Sequence, residues 1–152
     1  MIQRIQTLYL VLALIITGLL FTMDLAQLAN ETGLFNLTVS GIYSVNETNN
    51  LIMPAYALMA LLAINLLLLL VTIFLFKKRI LQIRLCGMGL ALLAGLSGMI
   101  YYWGKTAAKE LGAELSFSWA IVLPLIALVL VFLAMKAIGK DEALIRSIDR
   151  IR

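Results

Sequence analysis

Histidine is absent from the chain, and cysteine occurs once, as Cys86. The first absence excludes histidine-ligated haem, histidine-containing zinc sites and a Ser-His-Asp triad. The second excludes an internal disulfide and a cysteine-cluster metal centre. Charge is also scarce, at 13% of residues, and no Asp, Glu, Lys or Arg falls deep within the long apolar runs. Ion- and proton-coupled carriers usually need an ionisable group at that depth, so that class is disfavoured. The glycines cluster inside apolar sequence, where packing rather than a phosphate loop explains them. Two chemical readings remain, each beside a plainer one. Cys86, next to Arg84, reads either as a reactive thiolate or as a small packing residue. Glu110 and Glu114 read either as a carboxylate pair or as solvated surface acids. The plainer reading is preferred for both, so the expectation is no enzyme, no cofactor and no metal.

What the chain has is apolar sequence: 63% of its 152 residues are hydrophobic, with a mean hydropathy of +1.05. Lipid is the expected solvent. Residues 5–23, 54–76, 85–103 and 117–138 each approach the ~20 apolar residues a membrane helix needs. The first run is too long for a signal-peptide core and no small-x-small motif follows it, so it reads as a retained span. The expected fold is an all-α membrane protein of one domain. It is a four-transmembrane-helix bundle with a small β element in the first outer loop and a C-terminal amphipathic cytoplasmic helix at 141–152.

The basic stretch 76–84 (Phe-Lys-Lys-Arg-Ile-Leu-Gln-Ile-Arg) is the turn that makes the second and third runs antiparallel neighbours. Basic residues also sit at the N-terminus and the tail, leaving only Lys105 and Lys109 on the other side. That asymmetry places both termini in the cytoplasm and the 24–53 loop outside. It also explains the net charge of +4 as membrane orientation rather than a nucleic-acid footprint. Phe21, Tyr56, Tyr101, Tyr102, Trp103 and Trp119 fit an outer aromatic belt. In the outer loop, Phe35, Leu37, Val39, Tyr43 and Val45 alternate as in a strand, with a bulge or bend expected at Gly41. Residues 46–50 read as a turn. Asn30, Asn36 and Asn46 begin Asn-x-Thr sequons, which also suit ordinary turns.

Within the runs, Asn65 and Thr72 share a helix face, as helix–helix glue or as a polar path. Gly87, Ala91, Ala94 and Gly98 form one small-residue stripe, and Ala120, Ala127 and Ala134 another. The two are expected to pack on each other, antiparallel, or on a partner. Pro54 is expected in the first turn of the second span, Pro124 to kink the fourth, and Ser116 or Ser118 to cap it. A short helix is expected at 106–115. Gly139 is expected to end the fourth span and Asp141 to cap the tail helix. In that helix Leu144, Ile145, Ile148 and Ile151 face one way, while Arg146 and Arg150 lie on the polar side. It would lie on the membrane surface or dock a cytoplasmic partner.

Three segments together are distinctive: Met-Ile-Gln-Arg-Ile-Gln-Thr-Leu-Tyr-Leu at 1–10, Lys77-Lys-Arg with Gln82-Ile-Arg-Leu85, and Ala137-Ile-Gly-Lys-Asp-Glu-Ala-Leu-Ile-Arg-Ser-Ile-Asp-Arg-Ile-Arg152. Over essentially the whole chain they resemble the domain of unknown function 4293 family of four-span inner-membrane proteins of Bacteroidota. Family tails often read Ile-Arg-Lys-Asp-Glu; here Gly139 replaces the arginine, a departure expected to loosen the helix junction. The resemblance implies a bacterial inner membrane, demotes the sequons, and supplies no activity or site residues. The expected role is a non-enzymatic accessory or assembly subunit of a larger inner-membrane complex. Its partners would be the lipid bilayer and membrane proteins or further copies of itself, not nucleic acid. The alternative is a small-molecule or lipid transporter or channel with a weakly polar path near Asn65 and Thr72.

Overall fold

The computed structural model describes residues 3–31, 33–45, 50–76 and 78–149. Four helices are joined by a five-stranded antiparallel sheet, so the fold is mixed and not an all-α bundle with a small β element. In chain order these are α1 (Gln3–Leu19), β1 (Ala26–Asn30), β2 (Gly33–Leu37), β3 (Gly41–Ser44), β4 (Leu51–Pro54), α2 (Tyr56–Phe74), α3 (Arg79–Leu111), β5 (Glu114–Phe117) and α4 (Leu123–Asp149). The helices contact one another in a ring, α1 on α2, α2 on α3, α3 on α4 and α4 on α1.

The sheet order is β4-β3-β2-β1-β5. The alternating segment is a hairpin rather than one strand, with Leu37 paired to Ile42 and Phe35 to Ser44. Gly41 stands where the chain needs it. A Cβ there would lie 2.5 Å from the Met53 carbonyl oxygen and 2.7 Å from a Leu51 methyl carbon. The expected irregularity lies one residue on, as a register shift between Ile42 and Tyr43 against β4. Pro54 closes β4, an edge strand where its missing N–H is tolerated, and α2 starts at Tyr56. The last strand, β5, comes from the far side of α3 and pairs with β1, Leu115 opposite Leu28. Leu28, Phe35, Leu37 and Ile42 are buried with Leu58, Leu62, Leu96 and Ile100, so the sheet caps one end of the bundle.

α2, α3 and α4 are long and apolar enough to cross a membrane. α1 falls short: its 17 residues span about 26 Å, against the ~30 Å hydrocarbon core. α3 is much longer than the expected span, at 33 residues or about 50 Å. Its last turns leave the bundle and support the sheet, which replaces the separate short helix expected at 106–115. Gly104 lies so close to Phe117 that a Cβ would sit 3.0 Å from the ring. Gly112, at φ 56°, ends the helix in the left-handed conformation, and Asn30 Nδ2 donates to the freed Leu111 carbonyl at 3.0 Å.

α4 corrects expectations at both of its ends. A 3-10 turn, Trp119–Val122, precedes it, and Ser118 makes no side-chain cap there. Pro124 therefore falls in the first turn of α4, where its missing N–H is tolerated. At the other end the helix runs unbroken through Gly139 to Asp149. Asp141 caps nothing. It is buried and accepts a 2.5 Å hydrogen bond from Gln6 Nε2 of α1, which also reaches the Ala137 carbonyl at 3.2 Å. This tertiary tether outweighs the ~1 kcal/mol by which glycine disfavours a helix. Residues 46–49, Lys77, Arg150 and Ile151, and the side chains of Arg146 and Ile148, lie outside the described residues.

Two variants check this architecture in reversible unfolding of the purified protein. A Cβ at Gly139 would meet nothing, so Gly139→Ala is expected to stabilise by about 0.5–1 kcal/mol; a helix break there would make it neutral or harmful. Gln6→Leu removes the donor facing a buried carboxylate and is expected to cost about 1–3 kcal/mol. An unchanged midpoint would mean that the α1–α4 tether is not made.

Candidate functional site

The end of the bundle opposite the sheet gathers the basic residues. The start of α1 and the end of α4 meet there through Gln6 and Asp141. The α2–α3 turn is held at the same end by Gln82 of α3, whose buried Nε2 donates to the Thr72 carbonyl of α2 at 3.1 Å. Leu10, Leu69, Cys86, Val131 and Ile138 fill the core between these tethers. Cys86 is fully buried, the setting of a packing residue rather than a nucleophile.

Among the described residues, two hollows open at this end. The larger, about 730 Å³, lies between the α2–α3 turn and the last turns of α4. Lys78, Arg79 and Arg84 face it from one side and Glu142 from the other, with Phe76 and Ile80 adding apolar surface. Arg79 Nη1 is shielded from water and has no hydrogen-bond partner among the described residues. The smaller hollow, about 420 Å³, lies between α1 and α4 and includes Tyr9, Lys136, Lys140 and Asp141. Such a surface is suited to holding anions.

The structure separates the two small-residue stripes. Ala120, Ala127 and Ala134 are buried inside the bundle. Ala91, Ala94 and Gly98 are exposed and Gly87 is half-buried. A Cβ built on Gly87, Gly95 or Gly98 would meet no atom within 4 Å. The expected packing of one stripe on the other is therefore not made. α3 instead buries Cys86, Gly89, Leu93, Leu96 and Ile100, and Gly89 is the glycine beside Val131 of α4. Leu144 and Ile145 of the tail are exposed, at 56% and 41%.

Asn65 and Thr72 are both fully buried. The Thr72 hydroxyl donates to the Leu68 carbonyl of its own helix at 2.7 Å, and Asn65 Nδ2 donates to the Gly89 carbonyl at 3.4 Å. Their polarity faces the chain itself, although Asn65 Oδ1 is buried without a partner among the described residues. Glu110 lies in the last turn of α3 and Glu114 begins β5; both are exposed and do not share a helix.

Sequence reasoning missed Gln6, Gln82 and the inward role of Asp141. The signal was present for Gln6. It continues the spacing of Leu10, Ala13, Thr17 and Leu20, all buried on one face of α1 and the turn after it, so residue 6 belongs to the packed face.

No curated protein matches the chain. A family model described as a domain of unknown function (DUF4293) matches residues 2–151. With that match covering essentially its whole length, the chain belongs to the DUF4293 family.

Proposed function

We propose that this protein is a non-enzymatic membrane subunit that helps to assemble or brace a larger complex in a bacterial inner membrane. In this reading α1 crosses together with the three longer helices. Both termini and the basic end face the cytoplasm, and the sheet stands outside. The asymmetry of lysine and arginine supports the orientation. The joining of the α1 start to the α4 end through Gln6 and Asp141 supports an even number of crossings. α1 is short enough to require local thinning of the bilayer, which costs only fractions of a kcal/mol per Å.

The observation that carries the assembly role is the open strip on α3. Ala91, Ala94 and Gly98 are exposed, and the added carbons at Gly87, Gly95 and Gly98 would touch nothing. Small residues let a second helix backbone come close enough to gain dispersion contacts that lipid does not provide. The occupant that fits is an apolar transmembrane helix of a partner subunit. The sheet adds rigidity outside the bilayer, because β5 and β1 pair segments from opposite ends of the chain.

Gentle extraction of the tagged protein from its native membrane tests this. The wild type is expected to co-purify with a membrane partner at fixed stoichiometry. Gly98→Leu, which meets no obstacle within the chain, is expected to fold equally well and lose that partner. Recovery of the wild type as a lone monomer, or an intact complex with Gly98→Leu, would contradict the proposal.

A further inference from the structure

The 730 Å³ hollow at the basic end is not used by the assembly role. Among its described lining residues, three cations, Lys78, Arg79 and Arg84, stand against one carboxylate, Glu142. Arg79 adds a guanidinium nitrogen that is out of water and unpartnered among the described residues. A buried donor left without an acceptor destabilises the structure, and a planar guanidinium fork matches phosphoryl oxygens well. The same hollow exposes Phe76 and Ile80, at 52% and 49%. Cations beside an apolar rim match a molecule that carries a phosphate on hydrocarbon, whereas free phosphate would use the cations alone.

We propose that this hollow is a binding site for the phosphate of an anionic phospholipid, with Arg79 and Arg84 on the phosphoryl oxygens and Phe76 and Ile80 against the first carbons of the acyl chains. The lipid lies between the α2–α3 turn and the tail of α4 and ties them together. The proposal rests on the membrane location argued above and is independent of any protein partner.

Native mass spectrometry of the delipidated full-length protein in neutral detergent is the test. The titrants are short-chain phosphatidylglycerol, phosphatidylcholine with the same chains, and inorganic phosphate. Phosphatidylglycerol is expected to bind at the lowest concentration. Arg84 is exposed, so Arg84→Gln should keep the fold while weakening that binding about fivefold, the usual effect of one cation near an anionic lipid. The paired change Lys105→Gln and Lys109→Gln, at the sheet end, should leave it unaltered. Equal binding of both lipids, or no effect of Arg84→Gln, would overturn the site. Inorganic phosphate binding as tightly as phosphatidylglycerol would assign the hollow to a soluble anion and overturn the lipid reading.

Discussion

Hydrocarbon offers no hydrogen bonds, and a helix bundle this apolar has to satisfy its polar groups internally. Several side chains obey that constraint, whereas Asn65 Oδ1 and Arg79 Nη1 have no partner among the described residues. Thr17, Thr72 and Ser97 each donate to the carbonyl four residues earlier in their own helix. Asn65 crosses to the Gly89 carbonyl, Gln82 to the Thr72 carbonyl and Gln6 to Asp141. The first group adds no link between helices. The second links α2 to α3 at two depths and α1 to α4 at one end, and so fixes the order of the ring.

The two ends of the bundle solve different problems. At one end the helices finish in a folded layer: α3 continues beyond the length a bilayer needs, and its final turns, Asn30 and Gly112 together seat β5 against β1. Tyr101 stacks on Phe117 with ring centroids 5.8 Å apart, and Lys105 lies 5.9 Å from the Tyr101 ring. Tyr56, at the start of α2, Tyr102, in α3, and Trp119, just after β5, are also exposed. At the other end there is no sheet, only helix ends, buried amides and clustered cations. One end is thus closed by a sheet, and the other is basic and hollowed.

How much of this was legible in the sequence depended on whether the cause was local. Hydropathy located the apolar helices because each run is long. Alternation found β2 and β3 because Phe35, Leu37 and Tyr43 stand out against polar neighbours. β1 (Ala-Gln-Leu-Ala-Asn) and β5 (Glu-Leu-Ser-Phe) are too short to set a period, and their pairing joins residues far apart in the chain. The helix ends were misplaced where an apolar run was taken for the helix itself: α3 continues through Lys105 and Lys109 because the sheet supports it. Gly139 signals a stop by propensity, yet Gln6 holds the next turn in place. The α3 stripe was legible as a period, but a period does not say which way the face turns. The bulky residues Leu93, Leu96 and Ile100 face inward, and the small ones are left outside.

Both functional proposals depend on orientation in a membrane, and cysteine labelling in intact cells measures it most directly. In a Cys86→Ala background, single cysteines at Val45, beside the sheet, and at Ile80, in the basic turn, are both exposed. A membrane-impermeant maleimide added from outside, once the outer barrier is permeabilised, should modify Val45→Cys and spare Ile80→Cys until the inner membrane is opened. Ready modification of Ile80→Cys with none at Val45→Cys would reverse the orientation. Equal modification of both before that step would mean that lipid does not separate the two ends at all.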